Sequence, residues 1–240
     1  MPDNNNRGIL YLVPTPIGNL GDITQRALET LENSDLIACE DTRLSGRLLS
    51  HFGLRKKLIS YHDFNEERRL PKLLSVLYEG GNISVITDAG SPGISDPAFR
   101  IIRAAIENDI TVRPLPGANA LIPALTGSGL PLDRFFFEGF LPQKSGSRKN
   151  RLAKLAELEH TLIFYESPHR VEKTIADILE VLGNRQTCIA REISKIHEEF
   201  IRGSLGEILD VINSRKLKGE IVIVVAGKGK KEKTKHIKNK

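Results

Sequence analysis

Tryptophan is absent from these 240 residues, methionine occurs once and cysteine twice. The two cysteines, Cys39 and Cys188, form no CxxC pair, which argues against a disulfide framework and a thiol-rich metal site. The six histidines are too scattered to suggest a metal centre, so no metal is expected. Aromatic residues make up only 5%, few for a non-catalytic RNA-binding module built on stacking platforms. The longest strongly apolar run, Ile221 to Ala226, is far too short to cross a bilayer. Met1 to Gly8 is polar and lacks the apolar stretch of a secretory leader, so the expected compartment is the cytoplasm. Neither GxGxxG nor GxxxxGKS/T occurs, and a dinucleotide or triphosphate fingerprint is missing.

What is present is the balance of a globular protein, 40% hydrophobic and 27% charged, at a length comfortable for two small cores. The formal charge is +5, but seven lysines against the single acid Glu232 fall between Lys228 and Lys240. That stretch carries more than the whole excess, so the body is close to neutral. Blocks of like charge cannot pack, and such a tail reads as a solvated, disordered end or as an arm drawn to nucleic acid.

Strand-like runs alternate with helical periodicity along the chain. Ile9 to Val13, Leu36 to Cys39, Leu58 to Ser60, Ile83 to Thr87 and Ile110 to Val112 form one set of strands. Phe135 to Glu138, Leu162 to Tyr165, Thr187 to Ala190, Phe200 to Arg202 and Glu220 to Val225 form another. Between them, Leu70, Leu73, Leu74 and Leu77 recur at helical spacing, as do Val171, Ile175, Ile178, Leu179 and Leu182. The pattern is α/β in two halves. Two prolines and a glycine in Pro114 to Gly117 interrupt it, giving expected domains of 1–115 and 116–227 and a basic tail of 228–240.

Three loops rich in glycine and proline follow expected strands, where open α/β sheets bind ligands. They are Val13 to Asp22, Thr87 to Pro97, and Leu115 to Ala120. Glycine permits sharp turns and close approach to a ligand, while proline fixes a loop's shape beforehand. Asp96-Pro97 reads as a helix cap followed by proline at the first helical position. Each loop alone is an ordinary turn; three in one chain point to a binding site.

The strings LYLVPTPIGNLGDITQRALETL, ACEDTR, HDFNE, ITDAGSPGISDP, LPGANA, EGFLP, FYESPHR and ARE occur in this order between Leu10 and Gly227. Together they resemble the tetrapyrrole methylase superfamily of S-adenosylmethionine enzymes, and within it the branch that methylates small-subunit ribosomal RNA. The resemblance implies two α/β domains with the cofactor in the cleft between them, and a homodimer. It also implies methyl transfer to the 2′-hydroxyl of a cytidine in the decoding region of 16S ribosomal RNA, within the 30S subunit. An enzyme of the same fold acting on a tetrapyrrole or another small molecule is the alternative. By position, the cofactor contacts implied are Pro14 and Thr15; Asp88, Ala89, Gly90, Ser91 and Pro92; Pro116, Gly117 and Ala118; and Tyr165, Ala190 and Gly227.

A ribose hydroxyl is a poor nucleophile at neutral pH, so a nearby base should help remove its proton. Asp41 after the second strand, His62 after the third and Glu192 in the second half are the candidates. Asp41 beside Arg43 also fits a structural ion pair, and Asn65 a cap for the helix that follows. The stretch Gln143 to Ala156 contains no acid and carries Lys144, Arg148, Lys149, Arg151 and Lys154. Helix starts favour acids, so this cluster is expected to contact RNA phosphates.

Overall fold

Largely apolar runs three to six residues long, broken by polar turns, become the strands of two separate sheets. The computed structural model describes residues 7–95 and 98–229 and divides into two units, Met1–Ala120 and Leu121–Lys240. The division falls after Ala120, not within Pro114 to Gly117 as the prolines suggested. Physically, Leu115 donates its N–H to Leu12 and Ser91 bonds the Ala118 carbonyl, so this loop stays tied to the first unit. The Asp96-Pro97 cap and all of the tail past Gly229 lie outside the described residues.

In the first unit, β1 (Ile9–Leu12), β2 (Leu36–Cys39), β3 (Leu58–Ser60), β4 (Ile83–Ile86) and β5 (Thr111–Pro114) are all parallel. Their order is β3-β2-β4-β1-β5. β2 and β4 are buried at every position, which a parallel strand requires when helices cover both faces. On one face α3 (Glu66–Tyr78) and α4 (Ala98–Glu107) set Leu73, Leu77, Ile101 and Ala105 against Leu10, Leu36 and Ile83. On the other, α1 (Gln25–Glu32) and α2 (Thr42–His51) set Ala27, Leu31 and Leu49 against Val13, Ile37 and Ile86. Thr24 caps α1 by accepting from the Ala27 N–H, and Asp41 caps α2 by accepting from Arg43, each worth about 1 kcal/mol. Because every strand runs the same way, the segments leaving β1 to β5 emerge at one edge of the sheet, the edge of its carboxyl ends.

The second unit holds α5 (Leu121–Gly127), β6 (Phe135–Phe140), α6 (Ser145–Leu155), β7 (Thr161–Glu166), α7 (Val171–Leu182), β8 (Gln186–Arg191), β9 (Glu199–Ser204), α8 (Leu205–Ser214) and β10 (Ile221–Val225). The sheet order is β6-β7-β10-β8-β9, with β6 and β7 parallel and the other pairs antiparallel. α6, α7 and α8 cover one face, packing Leu152, Ile175, Ile178 and Ile208 around Phe164, Ile189 and Ile223. Phe164 has no exposed surface, so Phe164→Ala would cost about 3–5 kcal/mol. Ser204 and Glu207 close a reciprocal capping box at the start of α8. Among the described residues no helix is long and apolar enough to cross a membrane.

Candidate functional site

The three glycine- and proline-rich loops meet at the carboxyl edge of the first sheet. Thr15 and Gly90 exchange both backbone hydrogen bonds, at 2.9 and 3.0 Å, as an isolated antiparallel bridge. Beneath it the buried Thr15 hydroxyl donates to the Thr87 carbonyl at 3.0 Å, and the Thr87 hydroxyl to the Gly90 carbonyl at 3.2 Å. Ser91 donates to the Ala118 carbonyl at 3.0 Å, tying in the third loop. Gly90 has φ +88°, a left-handed conformation that favours glycine. A β-carbon on Gly117 would stand 2.6 Å from Pro14, so that pair packs backbone against ring. Pro14, Thr15, Gly90 and Pro92 are buried, whereas Asp88, Ala89 and Pro116 are exposed. The cofactor residues named from the first half are thus brought together.

A pocket of about 290 Å³ opens beside this knot. Thr87, Asp88 and Ala89 supply its polar side, and Ile17, Leu20, Leu44 and Leu48 an apolar wall. Leu20 and Leu44 are each 41% exposed, so this wall faces solvent. The α2 contribution was not foreseen, although Leu44 and Leu48 stand four residues apart, off the face that buries Leu49. Asp88 accepts from the Asp41 N–H at 3.2 Å and its own N–H reaches Glu40 at 3.4 Å, linking the ends of β2 and β4.

Each candidate base is already engaged. The Asp41 carboxylate accepts from the Arg43 guanidinium, closest at 2.7 Å, and from the Arg43 N–H at 2.7 Å. The Arg43 side chain, then its backbone N–H, holds this carboxyl well below the usual carboxylate range. His62 lies in a closed ring with Asn65. The His62 N–H donates to Asn65 Oδ1 at 3.0 Å, which turns Asn65 Nδ2 toward Ser60 and toward His62 Nε2 at 2.9 Å. The His62 Nε2 thus faces an amide N–H, while its Nδ1 is buried with no hydrogen-bond partner among the described residues. Asn65 stands at the start of α3, but its side chain makes no capping bond, because this ring uses it. Glu66 of the same string pairs with Arg100 of α4 at 2.7 Å. Burial alone would raise the Glu192 carboxyl, but Lys195 at 2.9 Å and the Glu220 N–H hold it below its ordinary value.

In the second unit, Tyr165 and Ala190 both stand opposite Val222, so they share one row and one face of the sheet. Phe137 and Phe140 pack edgewise on Tyr165, at 4.9 and 5.7 Å between centroids. Burial pushes the Tyr165 hydroxyl up. Gly227 does not join them. It lies beyond the far end of β10, roughly 16 Å along the strand direction from Val222. Its lack of a side chain is steric: a β-carbon would fall 2.3 Å from the Glu159 backbone.

The acid-free segment is corrected as well. Arg148 is 3% exposed and turns inward, its Nε donating to Asp177 at 2.6 Å and its Nη1 to the Pro142 and Gln143 carbonyls. It cannot reach a phosphate. Lys149 pairs with Glu180 at 2.6 Å and Arg151 bidentately with Glu138 at 2.5 and 2.7 Å. Lys144 and Lys154 are exposed, with no ion pair to a described residue.

The family model for tetrapyrrole (corrin/porphyrin) methylases matches residues 9–209. The chain is 47% identical over 95% of its length to ribosomal RNA small subunit methyltransferase I of Halalkalibacterium halodurans, covering 78% of that protein. It is 51% identical to the Synechocystis protein of the same name, over 92% of this chain and 79% of the relative. The protein of that name from Escherichia coli O157:H7 is 48% identical, over 93% and 79%. Among solved structures, the methyltransferase CobJ superposes with a TM-score of 0.69 at 18% identity, over 92% of this chain and 94% of that one. A cobalt precorrin-4 methyltransferase gives 0.68 at 14%, over 94% and 97%; both likenesses speak to fold alone.

Proposed function

This chain belongs to the tetrapyrrole methylase family, and we propose that it methylates small-subunit ribosomal RNA with S-adenosylmethionine, at the 2′-hydroxyl of a cytidine in the decoding region. The observation that carries the reading is near-50% identity over more than nine-tenths of the chain to proteins named for that RNA. The substrate is the 16S ribosomal RNA of the 30S subunit, and the enzyme works in the cytoplasm as a homodimer.

The first unit's loops fit the cofactor. A glycine turn at positive φ, tied from beneath by Thr15 and Thr87, leaves Asp88 and Ala89 exposed beside an apolar wall. Pro14, Thr15, Asp88 to Pro92 and Pro116 to Ala118 would hold it there, while Tyr165 and Ala190 enter on the family resemblance alone. When bound, S-adenosylmethionine supplies a methyl group on a positively charged sulfur, already activated for in-line displacement. The protein's part is orientation and exclusion of water. The bridged loops would fix position, and the cofactor would cover the apolar surface of Ile17, Leu20, Leu44 and Leu48, displacing water from it. Asp41, His62 and Glu192 remain the candidates for taking the hydroxyl proton, each by exchanging its present partner. Asp88 joins them as a carboxylate on the pocket wall. Lys144 and Lys154 are the exposed cations of the basic helix that meet phosphate, with Lys149 and Arg151 sharing their charge with acids.

Incubation with labelled cofactor and 30S particles, followed by mass mapping, tests the reading. One methylated cytidine ribose is expected, with a chelator making no difference. Methylation of a porphyrin precursor and not of 30S particles would overturn it.

A further inference from the structure

We propose that Phe64 is a stacking platform for a base of the RNA, beside the reacting nucleotide. The inference rests on the RNA reading above, but its test does not require methyl transfer.

Phe64 is 98% exposed, and nothing in the folding of the chain explains that. Its loop is not loose. His62 and Asn65 close a ring through the His62 N–H to Asn65 Oδ1 and the Asn65 N–H to the His62 carbonyl, at 3.0 and 2.9 Å. Asn65 Nδ2 anchors the ring to Ser60, and Glu66 is held by Arg100. The loop is thus braced by its own backbone and by Asn65 while it holds one phenyl ring out, with the His62 ring edgewise to it at 6.1 Å between centroids.

The surroundings indicate the kind of partner. Asp63, Glu67 and Arg68 around the ring are exposed and charged. A protein interface needs a contiguous patch of the order of 800 Å² on each side, and a phenyl flanked in sequence by exposed charges does not by itself provide one. A nucleobase needs only one open ring face, and any base supplies a partner for it. Position agrees with this. The loop leaves β3 at the same carboxyl edge as the pocket, and β3 lies two strands from β4, roughly 10 Å away at ordinary strand spacing. Nucleotides flanking one seated at Asp88 are within reach of the ring.

The absence of tryptophan makes the test direct, because Phe64→Trp installs a single indole fluorophore. Its emission is expected to be quenched on titration with a cytidine-containing single-stranded RNA, which has no indole of its own. Unchanged emission where RNA binding is detected independently overturns the proposal. In methylation assays Phe64→Ala and Phe64→Leu should raise KM for 30S particles roughly 5- to 150-fold. Phe64→Trp should keep KM near wild type, and all three should bind S-adenosylmethionine normally. If Phe64→Leu performs as well as Phe64→Trp, the ring is packing and not stacking, and the assignment fails. If Phe64→Trp is quenched by RNA while wild type leaves 30S particles unmethylated, the stacking stands and the proposed function falls.

Discussion

Replacing Arg148 by alanine should destabilise the second unit without acting through RNA. The guanidinium is 3% exposed and the Asp177 side chain 10% exposed, in contact at 2.6 Å. Removing one partner of such a pair leaves a buried charge uncompensated, typically costing 3–5 kcal/mol. Two groups soften the loss: the Ser145 hydroxyl, 3.0 Å from both Asp177 oxygens, and Lys149, 3.6 Å from one. The Pro142 and Gln143 carbonyls lose their donor, which works the other way. We therefore expect the low end, about 3 kcal/mol. For a unit of about 120 residues the unfolding entropy is near 0.25 kcal/mol/K, so the melting temperature of that unit should fall by roughly 12 °C. Differential scanning calorimetry measures this directly. Replacing both partners with apolar residues, Arg148→Met with Asp177→Leu, should recover much of the loss, since no charge is then stranded. An Arg148→Ala protein melting within about 3 °C of wild type would refute the reasoning, because the pair would then contribute no more than a surface bridge.

Three further outcomes are expected. Gly90→Val forces a β-branched side chain to φ +88° and should weaken S-adenosylmethionine binding by more than about tenfold in calorimetry; normal binding would detach this loop from the cofactor. Lys144→Ala with Lys154→Ala should leave the melting temperature unchanged but flatten the salt dependence of RNA association, by a log–log slope of about 1.4 for two contacts on a single strand. An unchanged slope would move the phosphate contacts elsewhere. Burial pushes the Cys188 thiol up to about 11, so it stays protonated and unreactive at pH 8. Alkylation followed by mass spectrometry should find it modified only after unfolding, and rapid labelling of the folded protein would show that its strand opens locally.

The strands were legible because a buried strand must be apolar along its length, as LIAC and IVIVV are. The knot of loops was legible in kind, since glycine and proline after a strand leave few conformations open. Its bonds were not, because Thr15 and Gly90 are brought together only by β1 pairing with β4. The misreading of Arg148 has the same root. Its segment truly lacks acids, but Asp177 and Glu180 come from α7 and Glu138 from β6, and charge balance along a chain does not report balance in space. Gly227 was named from the family resemblance, and the structure gives its missing side chain a local reason, the close Glu159 backbone. The Asp41–Arg43 pair, two residues apart, was visible from the start.

The bridge between Thr15 and Gly90 fixes what a ligand would have to do on arrival. A site assembled from mobile loops binds only in the fraction of molecules that happen to be closed, and its apparent affinity is lowered by that fraction. Here the loops after β1 and β4 share two backbone hydrogen bonds and one hydroxyl bond, and a second hydroxyl bond, from Thr87 to Gly90, braces the β4 loop on itself. A methyl donor bound as proposed would meet loops already tied to one another, so less of its binding energy would go into ordering them.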